Sequence, residues 1–491
     1  MLNTKTQKVA FNTIIQIVGK IIVTAISLIT VASLTRYLGV TGFGEYTTIF
    51  AFVSFWAVIA DFGFFWVLLR ELSKPDCNKD DVFNYIFSLK IIFCLVIFLV
   101  SGLSGFLIPQ YSWNIKIGIA IISASWVWMS FNTTYVALFQ SQLEMYKATI
   151  SEIIGRLFIL AGVILSVKNN YSFQIILYTY VLGNFINYLA SLAFGQGIIK
   201  YKFKYDLKYW KFVLIEGFPL AMLSIIGVLH SKIDAVLLSI FKGSLDVGIY
   251  GVPYKILEII ILVPTIFIGN TFPIINKYFH AKDPRMDLAI QKSFNFLVML
   301  AFPTVAGLII LAWPIINLVA GSEYLTTSDV TIQGINFPAP RILPILAISI
   351  GFSFILNIFS SLLVVMGKQY KQLVPMLVIT IINIILNVIF IQYYSYVAAS
   401  IVNTFTNMLM LIWWYILTKK YLDLRLDYRI ILKVLFATII MSIILYLLKD
   451  YNIFLTIIVG IVGYFVSAYC IKVFNWSEVM QFLPKLKSEE K

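Results

Sequence analysis

"RYLGVTGFGEY" (residues 36–46) lies between two long apolar runs, and "FKGSLDVGIY" (241–250) repeats its pattern between two others. Gly39, Gly44 and Tyr46 have the spacing G-x4-G-x-Y, and Gly243, Gly248 and Tyr250 reproduce it at an offset of 204. A second match follows at nearly the same offset: Lys90 and Gly105 recur as Lys292 and Gly307, 202 positions on. Gly-x-Tyr turns also recur by chance in apolar chains, but two registered matches favour an internal duplication. Each turn must reverse two helices within a few residues, where glycine supplies positive φ or close approach. The tyrosines are expected at the lipid headgroup level, which suits an amphipathic ring.

The flanking runs identify the solvent. Of 491 residues, 60% are hydrophobic, 16% aromatic and only 12% charged, and the mean hydropathy is +0.91. A soluble domain carries about twice that share of charge. A helix crosses a hydrocarbon core about 30 Å thick with about 20 apolar residues. Spans of that kind are predicted at 8–34, 50–69, 85–108, 117–139, 148–167, 173–194 and 212–241, then at 250–272, 294–319, 345–365, 373–391, 397–417, 430–448 and 454–473. Strict two-residue alternation is missing, so helices are expected and a barrel is not. The first run is too long for a signal-peptide core and is followed by another span, so it is expected to stay in the mature protein. The fold class expected is therefore an all-α integral membrane protein of about 14 transmembrane helices.

Six spans fit inside the repeat offset, and an even number leaves both halves crossing in the same sense. That implies two parallel six-helix lobes about a pseudo-twofold axis along the membrane normal. The lobes are expected at 1–198 and 199–418, with two additional helices and a cytoplasmic tail at 419–491. A cytoplasmic amino terminus puts 26 of the 37 lysines and arginines on the inner side, counting Lys8, Lys433 and Lys472 at the inner ends of their spans, with 6 outside and 5 deeper within spans. This is the asymmetry of a positive-inside protein, with both termini cytoplasmic. The net charge of +14 then reads as contact with anionic inner-leaflet lipid rather than with nucleic acid.

Catalytic motifs are scarce. The three cysteines, Cys77, Cys94 and Cys470, have neither disulfide nor metal-ligand spacing, and with two histidines there is no HExxH. The chain also has no GxxxxGK[ST] loop and no GxSxG elbow. No enzyme, metal or cofactor is expected.

"LTRYLGVTGFGEYTTIFAFVSFWAVIADFGFFWVLLREL", then "GFPL" at 217–220, "KIDAVLLSIFKG" and "VGIYGVPYKILE", resemble the polysaccharide-export branch of the multidrug/oligosaccharidyl-lipid/polysaccharide exporter superfamily. In length and span count the resemblance covers essentially the whole chain, and its nearest pattern is that of Wzx-type flippases of O-antigen, capsule or teichoic acid precursors. It implies two six-helix lobes around a central cavity plus two further helices, here the spans from 430 and 454. It also implies transport of an undecaprenyl-pyrophosphate-linked oligosaccharide from the inner to the outer leaflet of a bacterial cell membrane, by alternating access. Membrane lipids and other polysaccharide assembly proteins would be the partners.

Independently of that resemblance, charge inside a span costs roughly 2.5 to 3.5 kcal/mol on insertion scales and marks a bundle interior or wet cavity. The charged set comprises Lys20, Asp61, Glu152, Arg156, Lys232, Asp234, Lys255 and Glu258, with His230 beside them, all in spans 1, 2, 5, 7 and 8. Spans 1, 2, 7 and 8 are therefore expected to line the cavity. Lys20, Asp61, Arg156, Lys232, Asp234, Lys255 and Glu258 are the candidate substrate contacts. Lysine and arginine suit a pyrophosphate, while Asp and Asn suit sugar hydroxyls. Asn184 with Asn187, and Asn383 with Asn387, are further cavity candidates or helix contacts.

Structural readings compete at several of these positions. Glu152 with Arg156, and Lys255 with Glu258, have the spacing of helix ion pairs. Lys90 is near enough to the inner surface to snorkel, Glu216 reads as a helix-start charge, and His230 reads equally as packing or cavity. Pro253, Pro264 and Pro273, with Pro303 and Pro314, place helix bending in the second lobe, whereas spans 2 to 6 have no internal proline. Two other functions compete with the flippase. One is a cation-coupled multidrug exporter using Asp61 or Glu258 as the ion site. The other is a glycan polymerase or ligase, disfavoured because the longest external connection, around 321–343, is short.

Overall fold

A computed structural model of the chain describes residues 5–74, 77–423 and 426–473; the tail expected at the carboxy terminus lies outside them. Sixteen α-helices follow one another among these residues: α1 Lys5–Asp61, α2 Phe64–Leu72, α3 Lys79–Ser104, α4 Trp113–Ser141, α5 Met145–Lys168, α6 Phe173–Gly195, α7 Leu207–Phe241 and α8 Ser244–Ile260. Then come α9 Leu262–His280, α10 Arg285–Ile310, α11 Ala312–Ala320, α12 Glu323–Thr326, α13 Ala339–Val365, α14 Leu373–Tyr421, α15 Arg429–Leu448 and α16 Ile453–Cys470. A minimal antiparallel hairpin, β1 Thr331–Ile332 and β2 Ile335–Asn336, lies between α12 and α13.

Twelve segments among the described residues are long and apolar enough to cross a membrane. Two are double length: Ile15–Leu72 has 58 residues and Gln369–Tyr421 has 53. At 1.5 Å per residue each is about 80 Å or more, over twice a hydrocarbon core of about 30 Å. Each also carries a non-helical residue inside it, at Gly39 (φ 65°) and Ser395 (φ 48°). Folding at those points makes two crossings of each, and the fourteen predicted spans are recovered. The fold is that of an all-α multi-pass membrane protein.

Lipid exposure explains the sequence pattern on α3. Phe83, Phe87, Cys94 and Phe98 are buried while Ile92, Leu95, Leu99 and Leu103 are exposed, so both faces are apolar and the outer one suits hydrocarbon. Helix starts follow local chemistry. Asn78, Ser112, Asp206 and Asn452 each accept a first-turn amide at α3, α4, α7 and α16, satisfying donors the helix leaves open.

The chain divides into two compact units. One comprises the described residues of Met1–Val252 with Val319–Asn336 and Thr380–Ala399. In it α4 packs on α6 and α3, α5 on α1 and α6, and α7 on α1. The second comprises Pro253–Leu318, Phe337–Ile379 and the described residues from Ser400. There α10 packs on α13 and α15, and α15 on α16, around Leu297, Val298, Leu362, Leu363, Trp414 and Val434.

Proline and glycine break different spans. α8 ends at Ile260 and α10 at Ile310, each four residues before a proline, Pro264 and Pro314, where the ring clashes with the carbonyl and its hydrogen bond is lost. Bending is not confined to the second half, however. The second span breaks at Phe62 (φ 40°) and Gly63 (φ 76°) without proline.

The repeated turns share their backbone. Gly39 and Gly243 both have positive φ, 65° and 91°. Their tyrosines differ from the expectation of headgroup anchoring, because Tyr46 and Tyr250 are buried, at 7% and 1% exposure. Neighbouring helices supply the hydroxyl partners that make burial affordable: Tyr46 pairs with Tyr180 at 2.9 Å, and Tyr250 donates to Asp234 at 3.2 Å.

Candidate functional site

Within the first unit, α5 packs along α1 and brings Glu152 to 3.9 Å from Lys20, with both side chains partly exposed. Arg156 lies one turn further along α5 and is half-buried. It does not pair with Glu152. Among the described residues Arg156 has no hydrogen-bond or ion-pair partner. Where α1 and α5 meet at Lys20, the charged residues are thus Lys20, Glu152 and, one turn on, Arg156, and the pair at 3.9 Å is at the long limit of an ion pair. A cationic cluster of this kind inside a span has spare capacity for an anion.

Asp61 is placed differently from its sequence reading. It ends α1 immediately before the break at Phe62 and Gly63, and its carboxylate accepts from Lys90 Nζ at 2.8 Å. Lys90 also donates to Thr133 at 2.7 Å and is 1% exposed. Lys90 therefore does not snorkel. The helix break lets Asp61 reach α3, and a partnered ammonium can stay buried where a lone one cannot.

Asp234 on α7 is 1% exposed and accepts from Asn387 at 2.7 Å as well as from Tyr250. Asn383 and Asn387 are fully buried one turn apart, and Asn387 also donates to the Asn383 side chain at 3.1 Å. Both members of that asparagine pair are thus in one polar cluster with a carboxylate. Asn184 and Asn187 behave as helix contacts: Asn184 donates to Ser125 at 3.0 Å, and Asn187 packs against Gly155. Lys232, two residues before Asp234, is half-buried and has a partner of its own. His230 is 8% exposed, and neither ring nitrogen is hydrogen-bonded among the described residues.

In the second unit Lys255 and Glu258 pair at 2.7 Å, the intrahelical partnership their spacing allows. Glu216 proves not to begin a helix, since α7 starts nine residues earlier at Leu207, and it pairs with Arg70 at 2.8 Å. Outside the spans, the hydrogen bond from Lys204 to Asp81 pushes the Lys204 amine above its ordinary range. The hydrogen bond from Arg285 likewise holds Asp283 below the usual carboxylate range. Each contact ties a connecting segment to the first turn of a helix, Lys204 to α3 and Asp283 to α10.

Sequence reasoning missed an apolar groove in the second unit. It is about 340 Å³, lies between α10, α15 and α16, and is lined by Leu300, Leu308, Met441, Ile457, Tyr464 and Phe465 among others. Gly307 and Gly460 were its only legible signal, as gaps in otherwise bulky helices.

Comparison with known proteins places this architecture. A family model described as "Polysaccharide biosynthesis protein" matches residues 9–279, more than half the chain. The "Probable low-salt glycan biosynthesis flippase Agl15" of Haloferax volcanii is 20% identical over 379 residues, covering 74% of each chain. Among solved structures, a lipid II flippase, MurJ, in an inward closed conformation superposes with a TM-score of 0.74 at 16% identity, over 96% of this chain and all of that one. An inward-facing multidrug resistance MATE family transporter of the MOP superfamily superposes at 0.66 and 13% identity, over 83% of this chain and 98% of its own.

Proposed function

The chain belongs to the polysaccharide biosynthesis protein family of the MOP exporter superfamily, and we propose that it flips an undecaprenyl-pyrophosphate-linked oligosaccharide from the inner to the outer leaflet of a bacterial cell membrane. At the family level it is a membrane flippase of lipid-linked glycans. Such a substrate carries many hydroxyls that are costly to desolvate and a pyrophosphate that cannot enter hydrocarbon unpaired.

The observation that supports the pyrophosphate contact is Arg156, a cation within a span that has no counter-ion among the described residues. Arg156 and Lys20 hold the pyrophosphate, with Glu152 orienting Lys20. Lys232, on α7 of the same unit, is a further cation for the substrate, whereas Asp234 and its asparagines are buried and hydrogen-bond one another, bracing α7. In a strain lacking the protein, Arg156→Ala is expected to leave surface polysaccharide unrestored at normal membrane abundance, and Arg156→Lys to restore part of it. Full export by Arg156→Ala would remove the assignment.

The multidrug antiporter reading has a structural neighbour, but its two candidate ion-coupling carboxylates are each held by a lysine, Asp61 by Lys90 and Glu258 by Lys255. A carboxylate neutralised in this way is a weaker cation site.

A further inference from the structure

In the first unit the two repeated turns are pressed against each other, backbone to backbone. A Cβ on Gly44 would lie 1.7 Å from the Ser244 carbonyl oxygen and 2.9 Å from the Gly248 amide nitrogen. Conversely, a Cβ on Gly248 would lie 2.0 Å from the Val40 carbonyl oxygen. The contact is thus made once in each direction, as a duplicated pair facing itself would make it. Only residues without side chains allow it.

The joint is covered by polar contacts. Tyr324 donates to the Gly39 carbonyl at 3.1 Å, and Glu323 accepts the Val40 amide at 3.4 Å. Ser395, the positive-φ residue at the fold of α14, donates to the buried Asp246 in the second turn. Four connections therefore converge at one point: the turn after the first span, its repeat, the segment 319–336 and the α14 fold. With a cytoplasmic amino terminus all four are on the outer face. At the centre of the joint the contact is backbone to backbone, with Val40, Phe43 and Tyr324 buried around it, so the two turns meet as preformed surfaces that can part and re-form as units.

We propose that these paired glycine turns are the outer gate, closed in this structure and parting when glycan leaves toward the outer leaflet. The inference rests on the flippase reading and on that orientation. It explains why the chain keeps the turn twice: each copy is the other's seat.

Two measurements test it, in a protein with Cys77→Ser and Cys470→Ser and with Cys94 left fully buried. A Cβ on Gly251 would lie 2.9 Å from Thr47 Oγ1, within disulfide reach for cysteines at the two positions. Oxidation of Thr47→Cys/Gly251→Cys is expected to block export, and reduction to restore it. Equal export by the oxidised and reduced forms overturns the gate. The second measurement needs no glycan and so separates a failed gate from a failed flippase reading. A membrane-impermeant maleimide added outside should label Thr47→Cys about tenfold faster when Gly44→Ala wedges the turns apart, because the open population rises. An unchanged rate overturns the proposal even if export is lost.

Discussion

Lys90 and Asp61 show what a single residue can hide. Counting positions from the membrane surface makes Lys90 a snorkelling lysine, yet it is 1% exposed and ion-paired, while Asp61 is 31% exposed on its side chain. The partnership was illegible because it depends on the break at Phe62, where no proline announces it. It carries a testable asymmetry. Asp61→Ala strands a buried ammonium and is expected to lower stability by about 3 to 5 kcal/mol, whereas Lys90→Met leaves a carboxylate that can turn toward water and costs less. Thermal unfolding in detergent measures the order, and a larger drop for Lys90→Met would refute it. Arg156 was legible as a membrane cation, but its freedom from Glu152 was not: spacing permitted that pair, and the facing Lys20 took the carboxylate instead. His230 yields a sharper residue test. Because neither ring nitrogen is bonded here, His230→Phe should keep the unfolding temperature within a few degrees. Lost export at normal abundance would assign the ring a role in another state of the cycle.

Among the elements, the helices were readable because hydrocarbon demands long apolar runs, and the boundaries at 391 and 397 anticipate the fold at Ser395. Side-chain direction was less readable. Tyr46 and Tyr250 carry the composition of interface anchors, and only the neighbouring Tyr180 and Asp234 turn them inward. The break between α1 and α2 also has a seat. A Cβ on Gly63, at φ 76°, would lie 2.7 Å from the Gly217 carbonyl oxygen, and one on Gly217 would lie 2.6 Å from that of Phe62. The "GFPL" stretch is therefore a docking point for the bend, a role invisible until both glycines are placed. Gly63→Ala combines unfavourable φ with overpacking and is expected to cost about 1 to 3 kcal/mol, seen as a lower unfolding temperature. No change would mean that the bend relaxes freely.

For the whole molecule, the proposed pyrophosphate cargo carries an expected driving force. Moving two negative charges outward across an inside-negative membrane gains about 4.6 kcal/mol at 100 mV if the cationic residues do not travel with them. With Asp61 and Glu258 both lysine-paired, an imposed potential should accelerate outward flipping in vesicles without an ion gradient, and Asp61→Asn should keep that response. Transport driven only by a proton or sodium gradient, and abolished in Asp61→Asn, would replace this account with antiport. Whether the chain carries a lipid-linked oligosaccharide across the membrane is read by deleting it and asking on which leaflet that oligosaccharide resides. Accumulation on the inner leaflet is expected, shielded from a glycan-cleaving enzyme added outside until the chain is restored. Oligosaccharide that reaches the outer leaflet at the normal rate without the chain would contradict it.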